Sequence, residues 1–437
     1  MKRRTRYPCT LLAGILLAGS LPLMAQRALT LNDAIQSALQ RNLDLQLLRN
    51  DASAAGILDD YGVAGGLPTV TATANDQAQV TNIYQNLATG AIIERNGAVG
   101  NNLNASINGT LVLYNGMRIA AAKDRLHQIS QQSQELLAAQ IQNTVAEVMT
   151  QYLDVRRQEA YLRTINGSIA VAAENLKIVQ ARLGAGLAND ADLFQARLDA
   201  NALRQQRLSQ ELTITQAKAD LLNLIQEDFR TEVSLVDSLP VDENLNWDSL
   251  AAGLRQHPQL IAADHQIRIQ QLLEREVTSQ RMPTLRANAG LNFGNNISNG
   301  GFTLVSRNYG PYAGLSLSVP IYNGNALRRL QEAAVLSIRN AETNRQNILQ
   351  ANETELWKSW SAYRNALTLL ETERENATLS RRLLDLMLQK YSLRQATVLE
   401  LKQAQKSYEE AGYRLTNLEF AAKAAEIELR RLGGRLP

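Results

Sequence analysis

Cysteine occurs once in the 437-residue sequence, at Cys9. Beyond that position there is no disulfide, no thiolate nucleophile and no cysteine metal ligand to expect. Histidine occurs three times, at His127, His257 and His265. None belongs to a His-Glu-x-x-His pair, and no glycine-rich phosphate loop is present. An enzyme is therefore not expected, and neither a metal nor any other cofactor is implied. Aromatic residues make up 5% of the chain and prolines number nine, a composition that favours long helices over a compact mixed core. Charge is nearly balanced at +3, which gives no basic surface for nucleic acid. No stretch after the N-terminal segment is an apolar run of about 18 residues, so no transmembrane helix is predicted.

The N-terminus reads as a targeting signal. Lys2, Arg3, Arg4 and Arg6 form a positive region, Leu11 to Leu23 an apolar one, and Leu23-Met24-Ala25 offers a cleavage site after Ala25. About 13 apolar residues are too few to span a bilayer. Cys9 lies before the apolar run, which argues against lipid attachment at that cysteine. An exported chain without a spanning helix is either soluble in the periplasm or a β-barrel of the outer membrane.

A strand-to-helix join occurs twice, as Leu113-Tyr114-Asn115-Gly116 and Ile321-Tyr322-Asn323-Gly324, 208 positions apart. Before each, apolar and polar residues alternate; after each, more than 60 residues pass without a proline. In the first repeat, 26–246, the pattern predicts a helix over 31–65 and strands over 67–82 and 102–114. A long helix over 116–183, a return helix over 191–226 and a connector over 227–246 follow. The second repeat, 247–437, predicts a helix over 248–280 and strands over 282–296 and 307–322. A long helix over 324–391 and a return helix over 398–432 complete it. Each long helix would measure ~100 Å at ~1.5 Å per residue. The return helices carry heptads in matching register, Leu193, Ala200, Ile214 and Leu221 against Leu401, Tyr408, Ala422 and Leu429, which predicts antiparallel coiled coils. The shorter helix and the return helix together match the long helix in length, so they can stack end to end beside it.

Four strands cannot close a barrel, and open sheet edges cannot face lipid. Strands of this length reach across the hydrocarbon layer, so other subunits must complete them. The fold class implied is an α+β membrane protein, mainly α and internally duplicated. Its coiled-coil helices would form a periplasmic α-barrel, and its four strands would contribute to a shared transmembrane β-barrel. Tyr114 and Tyr322 fall where an interfacial aromatic belt would lie.

In this arrangement the sequence resembles the TolC family of outer-membrane efflux and secretion channels. The resemblance rests on both joins, on the N-terminal Leu-Thr-Leu-Asn-Asp-Ala-Ile at 29–35 and on the tip Gly-Leu-Ala-Asn-Asp-Ala-Asp at 186–192. It rests also on the second tip, with Tyr391, Ser392, Glu400, Leu401, Gln403 and Ala404. It covers essentially the whole mature chain. It implies a homotrimer in the outer membrane with a twelve-stranded barrel and a large periplasmic tunnel closed at its far end. It also implies service to an inner-membrane transporter through a periplasmic adaptor protein. By position, Asp192, Tyr391 and Glu400 match residues that line or latch the closed tip, and three Glu400 carboxylates would form a cation-favouring ring. Gly184, Gly186, Leu187, Ala188, Ala396 and Thr397 fall where the adaptor would touch the tips. The chain departs from better-known members at three places. Ala396 stands where they have a latch arginine, with Arg394 two residues away. Gln403 stands where they have a second acidic residue. Arg394 replaces the usual tip glycine.

The rival reading is a secreted or periplasmic coiled-coil scaffold or adaptor; recovery of the protein in the soluble periplasmic fraction would favour it. The sequence does not specify a cargo.

Overall fold

The structure, a computed structural model, describes residues 27–238 and 240–436. The expected signal segment, with Cys9 and the cleavage site after Ala25, lies outside the described residues.

The first repeat contains β1 (Arg27–Leu29), α1 (Leu31–Arg41), α2 (Leu43–Leu58), β2 (Thr69–Asn86), β3 (Ile92–Tyr114), α3 (Arg118–Gly184) and α4 (Asp190–Leu224). After β4 (Val233–Leu235) come α5 (Trp247–Leu254), α6 (Pro258–Ser279), β5 (Thr284–Ser298), β6 (Val305–Ser318), α7 (Ala326–Ser392) and α8 (Val398–Leu432). The two long helices, α3 and α7, each run 67 residues, ~100 Å.

β2, β3, β5 and β6 form one antiparallel sheet in that order, so the pairing of β3 with β5 joins the two repeats. The helices lie side by side in two tiers. Towards the tips the order is α4–α3–α8–α7, and towards the sheet it is α2–α3–α6–α7. The heptads explain the tip tier. Leu193, Ala196, Ala200, Leu203, Ile214, Ala217 and Leu221 of α4 are buried, as are Leu401, Ala404, Ala411, Ala422, Leu429 and Leu432 of α8. Gly167, an interruption the helix pattern merely tolerates, has a packing reason. A Cβ there would meet the Tyr408 hydroxyl at 2.7 Å, and one on Gly412 would meet Thr164 at 2.8 Å. The two glycines let α3 and α8 approach closely.

The two tiers meet end to end. Asn42 donates from Nδ2 to the Leu224 carbonyl at the end of α4 (3.3 Å), and Gly253 of α5 lies against the Gly433 carbonyl after α8. Here the expected single helices over 31–65 and 248–280 are each broken in two. Asn42 Oδ1 accepts the Leu45 N–H (3.2 Å) and starts α2. At the equivalent place His257 Nδ1 accepts the Gln259 N–H (3.3 Å), and Pro258 opens α6. A capping side chain stops one helix and begins the next, so continuous apolar spacing reads through a break it does not register. The first of these helices also ends at Leu58 rather than 65, where Gly65 adopts a left-handed φ of 84°.

His257 is 1% exposed and its Nε2 has no partner. Burial, and then the charge of Arg431, hold its pKa below the ordinary histidine range, with Glu428 opposing. The unfolded chain therefore binds the proton more readily. The contribution of this cap is complete above the ordinary histidine range and falls as the pH drops through it. Thermal unfolding of His257→Asn, which keeps a capping oxygen, is expected to lose that dependence between about pH 5 and 7.

The connector between repeats, 227–246, contains β4, which pairs in parallel with β1. Tyr152 bridges the two segments, donating to the Leu29 carbonyl and accepting the Asp237 N–H, each at 3.1 Å. Buried Lys423 donates to the Pro240 carbonyl (2.8 Å) and to Glu426 (2.9 Å). Glu426 accepts the Asp242 N–H (2.9 Å), and Arg430 donates to the Asp242 carboxylate (2.7 Å). These bonds fasten the connector to the middle of α3 and the C-terminal end of α8.

The joins are less alike than their sequences. The first is packed. Asn115 is buried and accepts the Ile119 N–H (3.4 Å), and Gly116 and Met117 take left-handed φ of 67° and 65°. The second has the same pair of left-handed residues, Gly324 and Asn325 at 65° and 63°. Its strand, however, stops at Ser318 instead of reaching 322, and Ile321 and Tyr322 are exposed. β3 has a neighbour on each side, whereas β6 is at an edge. Both long helices begin two residues after their glycines.

Candidate functional site at the two helix tips

Both hairpin tips are built alike at the offset of 208. At the first, the Gly186 N–H bonds the Leu183 carbonyl (2.9 Å) and the Leu187 N–H bonds the Arg182 carbonyl (2.8 Å). At the second, the Arg394 N–H bonds the Tyr391 carbonyl (3.1 Å) and the Gln395 N–H bonds the Lys390 carbonyl (2.8 Å). This closure requires one left-handed residue. Gly186 supplies it at φ 69°, and Arg394 adopts it at φ 64°. An arginine there carries a strain of ~1 kcal/mol that glycine avoids.

The return helices start with reciprocal caps. Asn189 Oδ1 accepts the Asp192 N–H (2.9 Å), and Asp192 accepts the Asn189 N–H (3.2 Å). Thr397 Oγ1 accepts the Glu400 N–H (3.2 Å), and Glu400 Oε2 accepts from the Thr397 N–H (2.7 Å) and hydroxyl (2.9 Å). The backbone bond from Thr397, followed by its side-chain bond, holds the Glu400 carboxyl below the ordinary glutamate range. The capping boxes explain why acidic residues recur at 192 and 400: each satisfies amides that the first helical turn leaves open.

The remaining candidate residues divide by burial. Gln403 is exposed on α8, as are Gly184, Leu187 and Thr397 at the turns; Ala188 and Ala396 are half-buried. Tyr391 is not exposed: it packs at 6% exposure with Leu384, Leu401, Ala404 and Val171. The guanidinium of Arg182 lies 4.4 Å from its ring centre, and Arg182 also donates to the Tyr391 carbonyl. Arg182 thus ties the end of α3 to the end of α7. Lys402 and Asp199 add an ion pair between α8 and α4 (2.7 Å). Neither contact was foreseen from the sequence. The available signal was that Arg182 and Lys390 occupy equivalent places, each a cation in a last helical turn.

Away from the tips, the sheet has two unlike faces. Val70, Ala72, Ala74, Ala105, Ile107, Leu291, Phe293 and Leu315 share one. Thr71, Thr73, Asn104, Asn108, Asn288, Asn292 and Ser316 share the other. Among the described residues no helix is long and apolar enough to cross a membrane.

The family model described as Outer membrane efflux protein matches residues 34–226 and 251–435. Among curated proteins none matches the sequence. The fold is similar to solved outer-membrane proteins at low identity. The CmeC outer membrane channel of Campylobacter jejuni is 16% identical over 93% of this chain and 85% of its own, with a TM-score of 0.76. The outer membrane protein VceC of Vibrio cholerae is 16% identical over 92% and 96%, with a TM-score of 0.74. A membrane protein from Pseudomonas aeruginosa is 18% identical over 92% and 93%, with a TM-score of 0.76.

Proposed function

Since the chain belongs to the outer membrane efflux protein family, we propose that three copies form a single exit duct, gated at the helix tips and fed by an inner-membrane transporter through a periplasmic adaptor. The protein is an outer-membrane efflux channel with a large periplasmic portion. What supports assembly from several copies is one observation: the sheet and the helices leave the same two sides open. β2, α2 and α4 form one edge, and β6 and α7 form the other.

Both edges are unfinished. β2 and β6 each present one row of backbone groups that lipid cannot satisfy. α4 exposes Phe194, Leu198, Leu208 and Leu212, and α7 exposes Leu369, Leu379, Leu383 and Leu386. Each set falls on two heptad positions, the pattern of a second coiled-coil seam. A ring in which each copy's α7 meets the next copy's α4, and each β6 the next β2, covers all of these at once. Three copies give twelve strands.

At the tips, the gate consists of the ties between the two hairpins, Arg182 on Tyr391 and Lys402 with Asp199, together with Glu400 at the start of α8. Arg394 and Gln403 lie beside them. The turn residues Gly184 to Ala188 and Ala396 to Thr397 form the surface offered to the adaptor. In planar bilayers the purified protein is expected to give small, mostly closed, cation-preferring channels. Arg182→Ala combined with Lys402→Ala removes a cation–π contact and an ion pair, together ~1–3 kcal/mol. The open fraction should rise roughly tenfold. Currents unchanged by the double substitution would exclude these contacts from the gate.

A further inference from the structure

The polar face of the sheet is lined almost wholly by neutral groups. Below the irregularity between Thr81 and Ile83, β2 contributes threonine, asparagine and glutamine, and β3 contributes asparagine, serine, threonine and glycine. β5 and β6 add asparagine, glycine, serine and one tyrosine, Tyr312. In this stretch one charged residue interrupts the lining: Arg286, two residues along β5 from Thr284. Its partners across the sheet are Val112 on β3 and Ser316 on β6. The diagonal positions include Thr110 on β3 and Gly314 and Ser318 on β6. β5 is an interior strand, so these neighbours come from the same chain and do not change when copies associate. The two other charges in these rows, Asp76 and Arg307, share the row Asp76–Leu103–Asn295–Arg307 on the opposite, apolar face.

In a closed barrel the polar face is the lumen and the apolar face meets lipid. We propose that Arg286 forms a threefold guanidinium ring at the periplasmic mouth of the barrel lumen, a site for multivalent oxyanions that favours cargo carrying phosphate or sulfonate groups. This rests on the trimeric channel reading above. Three points carry it. Arg286 is exposed on its face, and below the irregularity in β2 and β3 no carboxylate shares that face to neutralise it. Guanidinium presents paired N–H donors that match phosphate and sulfonate oxygens. The position is about 7 Å along the strand from its periplasmic start, where the lumen receives whatever leaves the helical tunnel. The ring has the opposite sign to Glu400, which lies at the other end of helices ~100 Å long. The duct would thus be acidic at its entrance and basic where the barrel begins.

The test uses the wild-type assembly in planar bilayers in about 0.1 M salt, where charges act over ~10 Å. Inositol hexakisphosphate is added on the barrel side as the probe. It is expected to block wild-type channels and Arg286→Lys channels. Block of Arg286→Gln channels should be roughly tenfold weaker, as for loss of a charge-assisted contact. In about 1 M salt, where screening shortens to ~3 Å, the difference should vanish. Equal block of wild-type and Arg286→Gln channels would overturn the ring while leaving the channel reading in place. Failure of the wild-type protein to form any channel would overturn that reading and this inference together.

Discussion

Gly116→Val is expected to prevent assembly in the outer membrane, whereas Gly324→Ala is tolerated. The two glycines occupy the same place in the two joins and have the same left-handed φ, 67° and 65°. Their surroundings differ. A Cβ on Gly116 would lie 2.5 Å from Met282 Cβ and 2.9 Å from the Ser279 carbonyl oxygen; on Gly324 it would meet nothing within 4 Å. The first position therefore carries both costs, ~1–2 kcal/mol for a left-handed L-residue and ~1–3 kcal/mol for overpacking. A β-branched side chain adds to the first. The second position carries only the conformational cost of ~1–2 kcal/mol. Because the first join also sets how β3 leads into α3, the error propagates along a 67-residue helix. Outer-membrane fractionation of cells expressing each variant checks this. Equal yields of the two would show that the packing of Met282 on Gly116 does not matter.

Leu379→Glu combined with Leu383→Glu is expected to leave the subunit folded and separate it from its neighbours. Both leucines are exposed in the single chain, at 52% and 41%, so neither supports its core. In the ring they would be covered by Phe194, Leu198, Leu208 and Leu212 of the adjoining copy. Loss of burial alone removes ~2 kcal/mol per leucine, at three interfaces, and each introduced carboxylate adds a desolvation cost. The checks are gel filtration in detergent for size and circular dichroism for helix content. A monomer with unchanged helicity is the expected result. A variant that remained fully assembled would remove α7 from the interface.

The architecture was legible because its signals are long and repeated. Two strand–helix joins 208 residues apart, a proline-free run after each, and heptads in matching register survive errors of a few residues at any boundary. What escaped the sequence is local or tertiary. β1 and β4 are three residues each, too short for alternation to show. The breaks at Asn42 and His257 depend on a side chain turning back to a backbone amide, which leaves apolar spacing unchanged. At the tips, the acidic residues at 192 and 400 were visible, but their service as caps came only with the backbone. Tyr391 has the composition of a lining residue, yet its ring is buried under Arg182. That contact joins residues 209 positions apart, and no periodicity in either helix encodes it.

The repeated join now separates two tasks. It fixes where barrel becomes tunnel, through consecutive left-handed residues at 116–117 and 324–325. It leaves gating to the far tips and completion of the wall to other copies. Completion of the wall by other copies is the central requirement, because one chain supplies four strands and two uncovered edges. Native mass spectrometry of the protein extracted from the outer membrane in detergent tests it most directly. A single assembly of three copies is the predicted result. A stable monomer, with β2, β6 and the leucines of α7 uncovered in the membrane, would contradict it.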